Sequence, residues 1–335
     1  MKIVIRVPNW IGDGIMSLPA IQSVKKNFPE AEIWVATREW LKDIFFNHEY
    51  IDRLIPLLKE NSISNFYKNI QKLKKENFDI GILFTNSFSS ALLFSLSKIP
   101  QRLGYAKEGR GFLLTETVKL KNNFKEHHVY YYLNLLENLG FTIQEPSLHL
   151  KIRKEELEWV NELLRQLKIS PKSLIIGMNP GSFYGSAKRW PVENFAKLGI
   201  KFANELNAKV FIFGSKKEKF LRNKLSDLTG NNRNIYNFIG KTTLRELIAL
   251  ISKCQLFISN DSGPMHIANA LRIPIIAIFG PTNPEQTRPF HPPFRIIQKK
   301  VSCAPCKYRN CPLNHKCMRD INPEEVFEIS KDLLL

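Results

Sequence analysis

Short apolar runs recur along the chain, separated by stretches whose apolar positions repeat every three to four residues. In the first half, Ile3–Val7, Glu32–Ala36, Ile51–Pro56, Asp79–Phe84 and Arg102–Tyr105 read as strands. Between them Asp13–Asn27, Ile63–Glu76 and Ser89–Leu96 carry the helical period, and Val129–Leu139 is a further helix that Gly140 stops. Such alternation predicts a parallel sheet with helices on both faces. An extended, Pro-containing segment (Phe141–Ile152) and an acidic-started helix (Glu155–Leu167) follow. The rhythm then restarts with strand Leu174–Met178, helix Val192–Glu205, strand Lys209–Phe213, helix Lys216–Leu228, a turn at Gly240 and helix Thr243–Ser252. The expectation is an α/β chain of two doubly wound, Rossmann-like domains, 1–165 and 166–335, with the linker near that acidic helix. Tandem domains of this kind put a cleft between them, faced by the carboxyl ends of their strands. The final helix, Pro323–Leu334, is expected to pack back across the linker.

The richest chemistry follows strand Leu256–Ser259. Asn260, Asp261, Ser262 and Gly263 supply turn and cap residues, and Pro264 suits a first helical turn, where its missing N–H costs nothing. Met265, Ile267, Ala268 and Leu271 form an apolar helical face before the next strand, Pro274–Phe279. The helix start at Ser262 and Gly263 offers backbone N–H groups and a positive dipole end, which suit a phosphate. Asp261 would repel that phosphate, so it better fits the hydroxyls of a neighbouring sugar. On the residues alone, Asp261 and Ser262 equally serve as nothing more than a helix cap.

Two other loops carry candidate chemistry. The first strand runs into Asn9-Trp10-Ile11-Gly12-Asp13-Gly14, with Ser17 where a dinucleotide fingerprint needs its third glycine. Asp13 would also lie against the pyrophosphate, so a general base acting on a hydroxyl nucleophile is the better reading. A helix cap is the alternative, and one residue can serve both. In the second half, Asn179-Pro180-Gly181 leads to Lys188 and Arg189 on a loop rich in glycine and serine, where cations suit a diphosphate. Glu218, just past Lys209–Phe213, is like the acidic residues that hold ribose hydroxyls, though a Glu in a first helical turn is good helix chemistry too.

Gly12-Asp13 with Met16-Ser17, Asn179-Pro180-Gly181 with Lys188-Arg189-Trp190-Pro191, Phe213-Gly214-Ser215, and Asn260 through His266 occur in that order. Together they resemble the ADP-heptose:lipopolysaccharide heptosyltransferases, glycosyltransferase family 9. The Asn9–Asp13 form is most similar to the heptosyltransferase II group. The resemblance implies a GT-B fold and an inverting, metal-independent transfer of heptose from ADP-heptose to the lipopolysaccharide inner core. It makes Asp13 the base, with Asn9, Trp10 and Gly12 on the acceptor side. Lys188, Ser262 and Gly263 would meet the donor diphosphate, and Asp261 and His266 the heptose. Glu218 would hold ribose, and Gly240, Thr242, Thr243 and Leu244 would border adenine. Gly14 is smaller than the family pattern expects. Within the same fold, a heptosyltransferase of different acceptor or a nucleotide-sugar epimerase is the nearest rival.

Charge changes the picture in one respect. Residues 1–150 carry 19 Lys and Arg against 15 Asp and Glu, whereas residues 151–335 carry 30 against 16. Part of that excess is Thr287–Arg319, with Arg288, Arg295, Lys299, Lys300, Lys307, Arg309, Lys316 and Arg319 and no acidic residue. A basic half implies anionic partners. The expected one is lipopolysaccharide at the inner face of the cytoplasmic membrane. A nucleic-acid-binding module is the distant alternative, disfavoured because aromatic interleaving is missing. The opening strand is too short and too charged for a signal peptide, and no apolar run approaches the ~20 residues that span a bilayer. A cytoplasmic protein, peripheral at the inner membrane, is therefore expected.

Four of the five cysteines, Cys303, Cys306, Cys311 and Cys317, fall in one short run. The first spacing is that of zinc knuckles, and four soft ligands suit a tetrahedral structural zinc. Two disulfides rank second and free thiols third; in the first two cases the cluster pins a loop and takes no part in catalysis. An iron–sulfur cluster has no electron to carry in a sugar transfer.

Overall fold

The computed structural model describes residues 1–120, 124–230, 232–306 and 308–334; Lys307 of the basic run lies outside the described residues. The first sheet contains β1 (Lys2–Arg6), β2 (Glu32–Arg38), β3 (Arg53–Leu57), β4 (Ile80–Leu83), β5 (Gln101–Tyr105) and β6 (Glu116–Val118), in the order β3-β2-β1-β4-β5-β6. The second contains β7 (Ile175–Asn179), β8 (Lys209–Ile212), β9 (Ile235–Asn237), β10 (Leu256–Asn260), β11 (Ile275–Phe279) and β12 (Phe294–Gln298), in the order β12-β11-β10-β7-β8-β9. Every pairing in both sheets is parallel. Each sheet is doubly wound. Three strands are laid in one direction, then the chain returns to the middle and builds outward the other way. The reversal falls between β1 and β4 in one sheet and between β7 and β10 in the other. Crevices for ligands open at the carboxyl side of such reversals.

The central strands are unbroken apolar runs because helices cover them on both faces. β10 and β11 are buried at every position. Helix Val192–Glu205 turns Val192, Phe195, Ala196, Leu198, Phe202 and Ala203 to the core, the spacing of one helical face. The strands that the apolar pattern does not announce, β6, β9 and β12, are all edge strands. With one neighbour each and half-exposed positions, they need no continuous apolar run.

Three expectations need correcting in detail. The stretch expected as one helix, 13–27, is two, Ile11–Met16 and Leu18–Asn27. Ser17 Oγ donates to the Gly14 carbonyl (2.7 Å), and Pro19 in the first turn of the second helix cannot continue the hydrogen-bond ladder of the first. The chain divides into compact units at Lys151/Ile152, earlier than the expected 165/166. Helix Lys154–Gln166 belongs with the second unit because it packs on Leu244–Ile251 and its buried Glu156 meets Arg245. The last helix, Pro323–Leu334, also packs within the second unit, on Val192–Glu205, with Phe327 and Phe202 ring centroids 5.1 Å apart.

Glu156 accepts from Arg245 Nε (2.7 Å) and Nη2 (2.5 Å), and from the Arg153 N–H (2.9 Å) and Nε (2.6 Å). Burial alone would raise its pKa, but these hydrogen bonds outweigh it and hold the carboxyl at about 2. The folded value lies below the unfolded one. The stabilisation is therefore complete above about pH 4.5 and is lost as pH falls toward 2. Glu156→Gln should destabilise the second unit by about 3 kcal/mol at neutral pH. The gap from wild type should close between about pH 4.5 and 2 in urea unfolding followed against pH.

Candidate active site

At the reversal of the second sheet, two asparagines end the adjacent strands β7 and β10, and both are buried. Asn260 Nδ2 donates to the Pro180 carbonyl (2.8 Å), while its Oδ1 accepts from the Trp190 N–H (3.0 Å). Asn179 Nδ2 donates to the Gly181 carbonyl (3.1 Å) and to Ser262 Oγ (3.0 Å). One amide thus ties the 180–181 turn to the loop that carries Lys188, and the other ties that turn to the next helix. Helix Gly263–Ala270 starts at Ser262 without a side-chain cap, because the Ser262 hydroxyl is engaged by Asn179 and Ser259 instead. The capping alternative for Ser262 is thereby corrected, and the first-turn N–H groups keep their positive end for an anion.

Lys188 Nζ pairs with Asp261 Oδ2, which also accepts from Thr282 Oγ1 (2.8 Å). The lysine side chain is 12% exposed and the aspartate 4%. Lys188 therefore lies in a mostly buried place beside the residue assigned to the sugar. His266 is buried one turn into the helix. Glu218 is buried too, and its Oε2 accepts from the Ser215 N–H (2.8 Å) and Oγ (2.9 Å). A methyl group on Gly181 would come within 2.2 Å of Glu218 Oε1, so the strand-end turn and Glu218 are in direct contact only because residue 181 is glycine. Gly240 (φ +73°) turns the chain back against Lys216, and its N–H donates to the Gly214 carbonyl (2.9 Å). It lines an open pocket of about 220 Å³ with Ile239, Lys216, Lys219 and Arg222. Thr242 and Thr243 follow after Lys241. Thr243 caps helix Leu244–Ile251, its Oγ1 accepting from the Glu246 N–H (3.3 Å).

In the first unit, Asp13 sits in the first turn of Ile11–Met16, at the carboxyl side of β1. Its Oδ1 accepts from Tyr132 Oη (3.4 Å) and lies 3.6 Å from His128 Nδ1. The side chain stays 30% exposed. Burial, reinforced by the Asp13 charge, raises the Tyr132 pKa well above its ordinary value, so the phenol keeps its proton and donates a hydrogen bond to the carboxylate. Asn9 Oδ1 accepts from the buried Arg6 (2.7 Å), Trp10 is 41% exposed, and Gly12 is buried. Gly14 is small for a local reason: a methyl there would lie 3.2 Å from the Phe45 ring.

Sequence reasoning missed Tyr132, His128, Thr282, and the Lys216–Lys219–Arg222 wall. The first two did leave a signal. Four residues apart on a helix, they share a face with each other.

All five cysteines carry free thiols. Cys303, Cys306, Cys311 and Cys317 line one small cavity with Ala187, Pro281 and His315, none of the four paired with another. Among the described residues, no three His, Cys, Asp or Glu side chains are grouped tightly enough to hold a metal as they stand. In the basic run, Lys299 is taken by Glu325 (2.6 Å) and Arg309 lies over the Tyr184 ring (5.5 Å), while Arg295, Lys300 and Arg319 are exposed.

Two Rossmann-like units in one chain, each with polar side chains gathered where its strands end, are the architecture of GT-B glycosyltransferases. The model for glycosyltransferase family 9 (heptosyltransferase) matches residues 66–317, and the chain belongs to that family. A lipooligosaccharide heptosyltransferase 2 of Campylobacter jejuni is 33% identical, over 100% of this chain and 98% of that protein. The solved ADP-heptose lps heptosyltransferase II of Escherichia coli is 27% identical with a TM-score of 0.85, covering 100% of this chain and 98% of that one. A family 9 glycosyltransferase structure from Veillonella parvula gives 26% and 0.88, covering 99% and 97%. The enzyme is a heptosyl-transferring glycosyltransferase, which decides against the epimerase alternative.

Asn260→Ala leaves the Trp190 N–H and the Pro180 carbonyl without their partner. It should cost about 1–3 kcal/mol of stability and weaken ADP binding roughly tenfold by releasing the Lys188 loop. Asn260→Asp, which keeps the acceptor and loses the donor, should fall between; calorimetric melting and ADP titration check both.

Proposed function

We propose that this enzyme moves heptose, with inversion, from ADP-heptose to the lipopolysaccharide inner core, at the acceptor position used by heptosyltransferase II. The observation that carries the donor reading is the Lys188–Asp261 pair beside the uncapped helix start. A cation for a diphosphate and a carboxylate for sugar hydroxyls stand side by side at a sheet reversal. The names of the family 9 relatives support heptose as the sugar and lipopolysaccharide as the acceptor.

The reaction is a single displacement. Asp13 takes the proton of the acceptor hydroxyl, and Tyr132 and His128 hold the carboxylate for it. The acceptor oxygen forms its bond to the anomeric carbon as the bond to the diphosphate breaks. The charge arriving on the leaving diphosphate is met by Lys188 and the N–H groups at Ser262 and Gly263. Asp261 Oδ1, which neither Lys188 nor Thr282 engages, accepts from heptose hydroxyls, and His266 backs that site. Glu218 offers Oε1 to ribose, with Gly240, Thr242, Thr243 and Leu244 along adenine. No metal takes part in these steps as proposed.

The acceptor is carried by a membrane, and we assign the enzyme to the cytoplasm with peripheral contact at the inner membrane. No helix among the described residues is long and apolar enough to cross a bilayer. Arg295, Lys300 and Arg319 are exposed cations suited to anionic headgroups. Nucleic acid is not among the proposed partners.

Incubation with ADP-heptose and truncated lipopolysaccharides, with product mass as the readout, tests the whole reading; no heptose on any inner-core acceptor would refute it. Asp13→Asn should abolish transfer and leave ADP-heptose binding nearly intact, whereas activity within a few-fold of wild type would remove Asp13 from the mechanism. Lys188→Ala should weaken donor binding and slow the chemical step together. Asp261→Ala should hurt ADP-heptose more than ADP, and equal losses would rule out the sugar contact. Reversing Arg295, Lys300 and Arg319 to Glu should raise the KM for membrane-embedded acceptor alone; a rise in the donor KM instead would assign these charges to the nucleotide.

A further inference from the structure

We propose that Cys303, Cys306, Cys311 and Cys317 bind one zinc ion, and that the resulting knuckle positions Lys188. The positioning half rests on the proposed role of Lys188 in donor binding.

The four thiols come from a run of fifteen residues and line a single cavity of about 20 Å³. That is room for one occupant of about the size of a water molecule. The sulfurs do not yet converge as a metal would hold them, and zinc at about 2.3 Å from each would draw them in. The segment has little apolar packing of its own. Ser302, Cys303, Pro305, Tyr308, Arg309, Asn310, Pro312, Leu313 and Asn314 are all exposed, and regular structure resumes only at the short helix Lys316–Arg319. Loops without a core of their own are where a structural metal contributes folding energy. The surroundings suit four thiolates: residues 287–319 contain no carboxylate, and Lys300, Arg309, Lys316 and Arg319 are all exposed cations. A zinc tetrathiolate carries net negative charge, which these cations offset.

The knuckle touches the donor site on both sides. On one side the Ala187 N–H donates to the Arg309 carbonyl (3.0 Å), Ser186 Oγ donates to Asn310 Oδ1 (2.9 Å), and His315 Nε2 is 2.7 Å from the Ala187 carbonyl. A methyl on Gly185 would lie 2.1 Å from that same Arg309 carbonyl oxygen, so the two backbones are in van der Waals contact. Ala187 precedes Lys188. On the other side the Cys306 N–H donates to the Pro281 carbonyl (3.0 Å), and the next residue, Thr282, donates to Asp261. Lys188 is thus one residue away from backbone that the knuckle holds, and Asp261 is hydrogen-bonded by a residue, Thr282, that is also one residue away from it.

The test uses the full chain, purified under reducing conditions without added metal. Elemental analysis should find one zinc per chain. A mercurial that titrates thiols should release it, and cobalt replacing it should show the thiolate charge-transfer band of a tetrahedral site. Loss of metal, whether by the mercurial or in Cys303→Ser/Cys306→Ser, should raise the Kd for ADP roughly tenfold, about 1.4 kcal/mol. The mercurial on the wild-type protein keeps the test open if the double variant fails to fold. No zinc on the purified chain and none taken up by the reduced protein would overturn the site; iron in its place would overturn the assignment to zinc. Zinc present with ADP affinity unchanged on its removal would overturn the positioning role. If Lys188→Ala itself leaves ADP binding unchanged, the failure lies with the donor reading and not with the metal.

Discussion

The loops at the carboxyl end of the second sheet depend on the side-chain amide of Asn260. It is fully buried at the end of β10, and its two ends are committed to different loops, the Pro180 turn and the Trp190 backbone. A buried amide must be satisfied on both sides, so the two loops can adopt only conformations that present a carbonyl to one end and an N–H to the other. Trp190 locks the second loop from beneath, with its indole N–H on the Ile321 carbonyl (3.0 Å) and its ring edge-on to Phe195. Lys188, two residues before this anchor, inherits its place from it.

Two carboxylates, one in each unit, are held differently. Asp261 is almost fully buried and tightly bound by Lys188 and Thr282, so its charge is offset by the lysine. A buried carboxylate without such partners would be costly, so Lys188 and Thr282 together hold Asp261 in place. Asp13 is half open, and its contacts with Tyr132 and His128 are long. The base role proposed for Asp13 needs that freedom, together with a donor that keeps the carboxylate oriented. Tyr132 supplies the orientation because it cannot readily ionise in its buried position.

Much of this was legible along the chain. The alternation of apolar runs with helical periodicity dictated two parallel sheets, since runs buried on both faces need helices above and below. The Asn260–Pro264 stretch announced a strand, a turn and a helix start, and its residue types announced a polar site there. Asp13, Lys188 and Asp261 stood out along the chain because they are charged residues that follow closely on apolar strands. What the linear pattern did not contain were pairings between distant segments. The edge strands β6, β9 and β12 carry too little burial to leave a pattern, the domain boundary follows the Glu156–Arg245 pair, and Tyr132 and His128 reach Asp13 across more than a hundred residues. Local periodicity reports which face of an element is buried. Only the folded chain decides which side chains meet there, because hydrogen bonds such as those of Asn260 act over a few ångströms of space whatever the distance in sequence.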